Sequence, residues 1–174
     1  MRRPAAYWWA FWAVFAASMV IYVTMTTWTL PTIEAEAGGL PAFDMRPTGY
    51  HIDAAREFLG ALNDTGRALY TGPQRIMDLF YPGLLALSLW LGLWGLYRPR
   101  VALPLCLAVL VGAVGDYTEN HLVAGMLATP LDALTADQVA RASTWTVVKS
   151  IGDTIGLTAL LIGGLAAFWR RRRA

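Results

Sequence analysis

Residues 101–127, VALPLCLAVLVGAVGDYTENHLVAGML, run for fifteen positions without a charge before they reach Asp116, Glu119 and Asn120, and then turn apolar again. A helix needs ~20 mainly apolar residues to cross a bilayer. This stretch has the length, and its acids fall near one end of it. Three more stretches match it, at about 7–30, 76–97 and 142–169. The pattern predicts an all-α chain: an integral membrane four-helix bundle forming a single membrane domain over residues 1–174, with an outer loop over 31–73.

Composition agrees with that reading. Of 174 residues, 56% are hydrophobic and 15% charged, whereas soluble domains average about 45–50% and about 25%. This excludes a nucleic-acid module and a dinucleotide-binding enzyme. The single Cys106 excludes a disulfide scaffold or a thiol-metal site. Charge sets the orientation. Arg2, Arg3, Arg98, Arg100 and Arg170 to Arg173 flank the spans on one side, with no acid among them. The positive-inside rule places that side, and both termini, in the cytoplasm. A plasma membrane, in a bacterium the inner one, is the expected location. Tyr7, Trp8, Trp9, Trp12, Trp94, Tyr97 and Trp169 then mark the inner interface, and Trp28, Tyr117 and Trp145 the outer one.

In the outer loop, Pro31, Gly38, Gly39 and Pro41 suggest an irregular start. Ile52, Phe58, Leu59 and Leu62 alternate with Asp53, Arg56 and Glu57 at helical spacing, which predicts a short amphipathic helix. It either caps the bundle mouth or rests on lipid headgroups. Asn63-Asp64-Thr65-Gly66 reads as a break, after which Arg67 to Tyr70 makes another turn before Gly72-Pro73 and the second span. Arg98-Pro99-Arg100 is short enough to make the second and third spans antiparallel neighbours. Thr135-Ala136-Asp137-Gln138 has the form of a capping box for the fourth span.

The residues that lipid should have excluded carry the functional signal. Asp78 lies 20 residues from Arg98, Asp116 15 from Val101 and Asp153 17 from Arg170. At ~1.5 Å per residue all three sit in the outer third of a ~30 Å core. Gln74, Asp78 and Tyr81 share one helix face, Asp116, Glu119 and Asn120 another, and Ser143, Thr146, Lys149, Ser150 and Asp153 a third. Tyr22, Thr26 and Thr29 add polar groups from the first span. Charges this deep should turn inward and meet.

Four acids face one lysine at that depth. Lys149 can pair with Asp153, four residues on, and Arg75 or Arg141 with Asp78 or Glu119. One negative charge is left over, so a shared proton or bound cation is expected. Pro82 cannot donate to the Asp78 carbonyl and should kink the helix there. Met25, Met77 and Met126 read as packing residues, and Gly152 with Gly156 as a close helix contact within the bundle. His51 and His121 lack metal-ligand spacing, so no metal centre is read.

Phe43-Asp44, Pro47-x-Gly49-Tyr50, Gly66-Arg67-x-x-Tyr70, Asp78-x-x-Tyr81-Pro82, Asp116-Tyr117-x-Glu119-Asn120 and Lys149 resemble a group of small bacterial four-span membrane proteins with a D-Y-x-E-N element. That resemblance implies the four-span fold and carries no activity with it. From the residues themselves, the leading expectation is an outward-facing acidic pocket. Asp78, Tyr81, Asp116, Glu119, Asn120, Lys149 and Asp153 would bind a small cationic or amphiphilic ligand there, with acid-base processing as an option. A proton- or cation-coupled carrier and a non-catalytic accessory subunit are the alternatives. Partners reduce to the bilayer and an amphiphilic small molecule, without nucleic acid. Catalytic residues, cofactor and oligomeric state stay unassigned.

Overall fold

The computed structural model describes residues 3–173, all helical in their regular structure, with no strand among them. Four helices are long and apolar enough to cross a membrane: α1 (Ala5–Glu36), α3 (Asp64–Leu96), α4 (Pro99–Ala128) and α5, which begins at Ala136 and ends at Arg172. The short helix α2 (Ile52–Ala61) lies between α1 and α3. These features fit a multi-pass membrane protein. Four passes return the chain to the end at which it began, so the start of α1 and the end of α5 lie at one end of the bundle, the terminus end. The other end holds the segment over 37–63. Arg2 lies outside the described residues, as does the side chain of Arg171.

Helix α3 packs against all three other long helices, whereas α1 packs chiefly on α3. Helices α4 and α5 form the most extensive pair. Small residues make that possible: a Cβ on Gly152 would sit 2.6 Å from the Gly112 Cα and 2.9 Å from the Ala108 oxygen. The glycine contact expected within the bundle is therefore present, formed against α4. The capping box also forms, with the Thr135 hydroxyl accepting from Gln138 N and the Gln138 side chain accepting from Thr135 N.

The expected break at Asn63–Gly66 is where α3 starts, with Asn63 as its cap, but the loop is shorter than expected at both ends: Pro31 does not end α1, and Gly72-Pro73 does not precede α3. Each proline instead lies beside or within a wide π turn, Met25–Thr29 in α1 and Tyr70–Gln74 in α3. A proline ring in a regular α-helix clashes with the carbonyl four residues back. A π turn widens the backbone at that point and lets the helix continue. The helix also continues through the buried Pro82.

The two π turns face each other. Gln74 bridges them: its Oε1 accepts from the Thr29 hydroxyl at 2.5 Å, and its Nε2 approaches the Met25 sulfur at 3.3 Å. Met25 thus has a polar partner as well as a packing role.

The 37–63 segment closes its end of the bundle. Phe43, Ala55 and Phe58 are fully buried and share one core with Ile33, Tyr70, Val123, Met126 and Leu134. Arg56 reaches from α2 to the Leu134 carbonyl at 3.0 Å, and Arg67 donates to the Leu127 carbonyl. Asn63 caps α3 through Gly66 N and also donates to the Glu36 carboxylate. Helix α2 is therefore packed onto protein by its apolar face.

Candidate functional site

Beneath this cap the inward polar faces meet. Asp116 and Glu119 are buried, at 7% and 0% exposure, because α4 turns that face toward α5. There Gly115 allows close approach, since a Cβ on it would lie 3.2 Å from Lys149 N. The Lys149 ammonium stands among three carboxylates, 3.2 Å from Asp44 Oδ1, 3.5 Å from Asp116 Oδ1, and in contact with Glu119 Oε2. Each acid has a further partner. Tyr70 donates to Asp44 Oδ2 at 2.6 Å, Thr146 to Glu119 Oε1 at 2.6 Å, and Asn120 to Asp116 Oδ1 at 3.0 Å.

Lys149 thus answers three of the acids, and Asp153, the partner expected for it from sequence spacing, is not among them. Among the described residues Lys149 makes no ion pair with Asp153, and Arg75 and Arg141 make none with Asp78 or Glu119. Arg141 instead bonds Asp137 at the exposed start of α5. A flexible ammonium buried between helices goes where carboxylates are densest, and cross-helix geometry outweighs the i,i+4 pairing.

Asp44 is the residue sequence reasoning left outside the site. It lies in the loop, in a short turn over Phe43–Met45, and only the tertiary fold brings it onto Lys149. Its place in the Phe43-Asp44 motif was the one available signal. Burial alone would raise the Asp44 carboxyl, but the Lys149 charge and the Tyr70 hydroxyl outweigh it and hold the group below its usual value. Gly49 secures the loop nearby, with φ of 86° and a Cβ position 2.6 Å from the Ser143 hydroxyl. Any side chain would be strained there and would clash. The next amide, Tyr50 N, donates to that same hydroxyl at 2.8 Å. The Tyr50 phenol, buried near Glu119, is raised by desolvation and then by that neighbouring charge.

Two expected site acids stand apart from the lysine. Asp78 accepts from Gln74 Nε2 at 2.8 Å, which links it to the π-turn bridge. Its other oxygen has no hydrogen bond or ion pair among the described residues. Asp153 lies one turn further from the cap on α5, within the electrostatic reach of Asp116 and Lys149. Tyr81 stacks on Tyr22 at 6.0 Å, closing the α1–α3 side of the polar zone. His121 is exposed. Among the described residues no group of three His, Cys, Asp or Glu side chains is arranged to hold a metal ion.

A small cleft opens beside Asp78 between α3 and α4, lined by Tyr70, Thr71, Arg75, Asp78 and Asn120 among others, with about 20 Å³ of space. That is room for about one water-sized group, far below the ~300–1,000 Å³ of drug-sized sites. No family model, curated protein or solved structure matches the chain.

Proposed function

We propose that this chain is a multi-pass protein of the bacterial inner membrane, with both termini in the cytoplasm, whose capped outer end binds the cationic group of a small amphiphilic ligand at Asp78. The arginines at the terminus end support the orientation, and the resemblance to bacterial four-span proteins supports the setting. The observation that carries the binding reading is charge. Five acids, Asp44, Asp78, Asp116, Glu119 and Asp153, share the polar zone with one buried ammonium, that of Lys149. Lys149 is committed to three of them. Asp78 is left at the cleft with a free oxygen, and a cationic group placed there gains an ion pair in a poorly hydrated setting.

Asp78 and Asn120 would contact the ligand, and Gln74 would hold Asp78 in position. Asp116, Glu119 and Lys149 would set the field around it. Tyr81 would wall the site, and Asp153 would add negative potential from below. A coupled carrier fits less well, because the half of the bundle toward the termini is closed by Leu85, Leu89, Leu93 and Val109, all nearly fully buried.

The test is calorimetric titration of the protein in lipid nanodiscs with butylammonium chloride. Saturable binding that Asp78→Asn weakens at least tenfold, in a variant with unchanged helical content, is the expected result. Absence of saturable binding by the folded wild-type protein would overturn the reading. The accessory-subunit alternative draws on the completeness of the Lys149 cage. It would be favoured by that same absence together with a stoichiometric partner chain retained on gentle extraction.

A further inference from the structure

The Asp78 cleft does not stand alone on its face of the bundle. A second hollow lies along the same α3–α4 seam nearer the bundle centre, a groove of about 180 Å³ lined by Ala86, Leu87, Trp90, Val109 and Leu110, all apolar. The two hollows share a side. On α3, Arg75 of the cleft falls within about 60° of Ala86 and Trp90 of the groove at ~100° per residue, while Asp78 is set about 60° to the other side of Arg75. On α4, Leu110, Tyr117 and Ala124 recur every seventh position, a drift of only ~20° per step. Along the axis, Asp78 and the groove residues Ala86 to Trp90 are eight to twelve positions apart, or ~12–18 Å at ~1.5 Å per residue.

Tyr117 lies between the two hollows. Its hydroxyl donates to the Leu79 carbonyl at 3.1 Å, so the ring crosses the seam. Gly83 leaves the space for it, since a Cβ there would be 2.8 Å from that hydroxyl. The seam thus reads, from the cap inward, as an acid with a free oxygen, an aromatic strap and an apolar slot. That order matches an amphiphile with its charge at the interface and its chain toward the bilayer centre.

We infer that the α3–α4 seam is a groove for a single-chain amphiphile with a primary ammonium head, the head at Asp78 and Asn120 and the chain past Tyr117 into the slot at Trp90. This rests on the proposed cation site and names its ligand class. The head must be small, because the cleft admits a group about the size of water, which suits –NH₃⁺ and rejects a trimethylammonium. One narrow slot suits one chain. Arg75 at the cleft mouth is the competing cation for Asp78, and it also disfavours a head of larger positive charge. The slot adds little affinity over surrounding lipid, since a chain is as well solvated in the bilayer. It fixes where the chain lies.

The test is photo-crosslinking in nanodiscs with a twelve-carbon primary alkylamine bearing a terminal diazirine, mapped by mass spectrometry. Saturable labelling of the segment containing Leu87 and Trp90, or of that containing Val109 and Leu110, is expected. Excess dodecylamine should abolish it, while dodecanol and dodecyltrimethylammonium leave it within twofold. Ala86→Trp, which fills the slot, should scatter the label yet leave butylammonium binding unchanged. Label spread over the lipid-facing surface without competition by dodecylamine, alongside intact butylammonium binding, would overturn the groove and leave the cation site standing. Equal competition by dodecyltrimethylammonium would overturn the head-group assignment. Loss of butylammonium binding in the wild-type protein would remove both.

Discussion

The two halves of this bundle are held by opposite chemistry. At the capped end, nearly every buried polar side chain has a partner on another element: Lys149 on Asp44, Asp116 and Glu119, Thr29 on Gln74, and Tyr70 on Asp44. At the terminus end, Leu85, Leu89, Leu93, Cys106 and Val109 pack without a charge among them. There the polar contacts run from side chains to backbone carbonyls, among them Tyr7 to Leu91 at 2.6 Å, Tyr97 to Ala159 at 2.7 Å and Ser88 to Leu85 at 2.8 Å. The difference teaches where charge is tolerated. Acids cluster only where a protein cap with its own apolar core shields them from one side and a buried ammonium answers them from within. The half with the apolar core needs neither.

The contrast is most sharply broken by Lys149→Met. It leaves Asp44, Asp116 and Glu119 facing one another without a cation, and the expected loss is about 3–5 kcal/mol at neutral pH. The deficit should narrow on acidification as protonated acids cease to repel. Unfolding followed by circular dichroism at several pH values would show both effects.

In the other half, Leu89→Ala opens a cavity at a fully buried position and should cost about 2–4 kcal/mol. That loss should be the same at every pH, and a pH-dependent loss would erase the distinction drawn here.

Asp44→Asn is expected to cost less, about 1–3 kcal/mol, because Lys149 keeps two acids. Asp44 is held below its usual value, so its contribution is present above the ordinary carboxyl pKa of ~3.9 and disappears as pH falls through the lowered folded value. Hydrogen exchange in the 37–63 segment should accelerate in that acid range for the wild-type protein. In Asp44→Asn the acceleration should be absent.

The smallest effect belongs to Tyr97→Phe, which removes one hydroxyl bond to a backbone carbonyl at the terminus end. About 1 kcal/mol is expected, with no effect on butylammonium binding.

The spans were legible because apolar length is a local property that lipid enforces residue by residue. The inward faces of α3, α4 and α5 were legible for the same reason, since a deep acid has few places to point. Two kinds of feature were not. Asp44 joins the site across more than a hundred positions of sequence, and nothing in a loop aspartate distinguishes a solvated one from a buried one. Helix continuity past Pro31 and through Gly72-Pro73 was hidden because turn signals describe the α-helix, and the π turn evades them by changing the hydrogen-bond spacing. The partners of Lys149 were misplaced because spacing along one helix says nothing of how close the next helix comes. Gly112, Gly115 and Gly152 set that distance.

The facing π turns in α1 and α3 carry one consequence for how this fold tolerates changes in chain length. Each turn holds one residue more than an α-helical turn would, so it shifts the angular phase of everything beyond it by about 100°. Ile33 and Ala37 face inward only through the first shift. The second sets the phase between Gly66, packed against Leu62 and Glu36, and Asp78. Deleting a single residue from one turn would restore a regular helix and rotate one wall of the capped end away from the other. A residue deleted from each turn together would rotate both walls. Each insertion is therefore fixed in length by the wall it aims, and the chain can lose neither without turning a buried face away from the capped end.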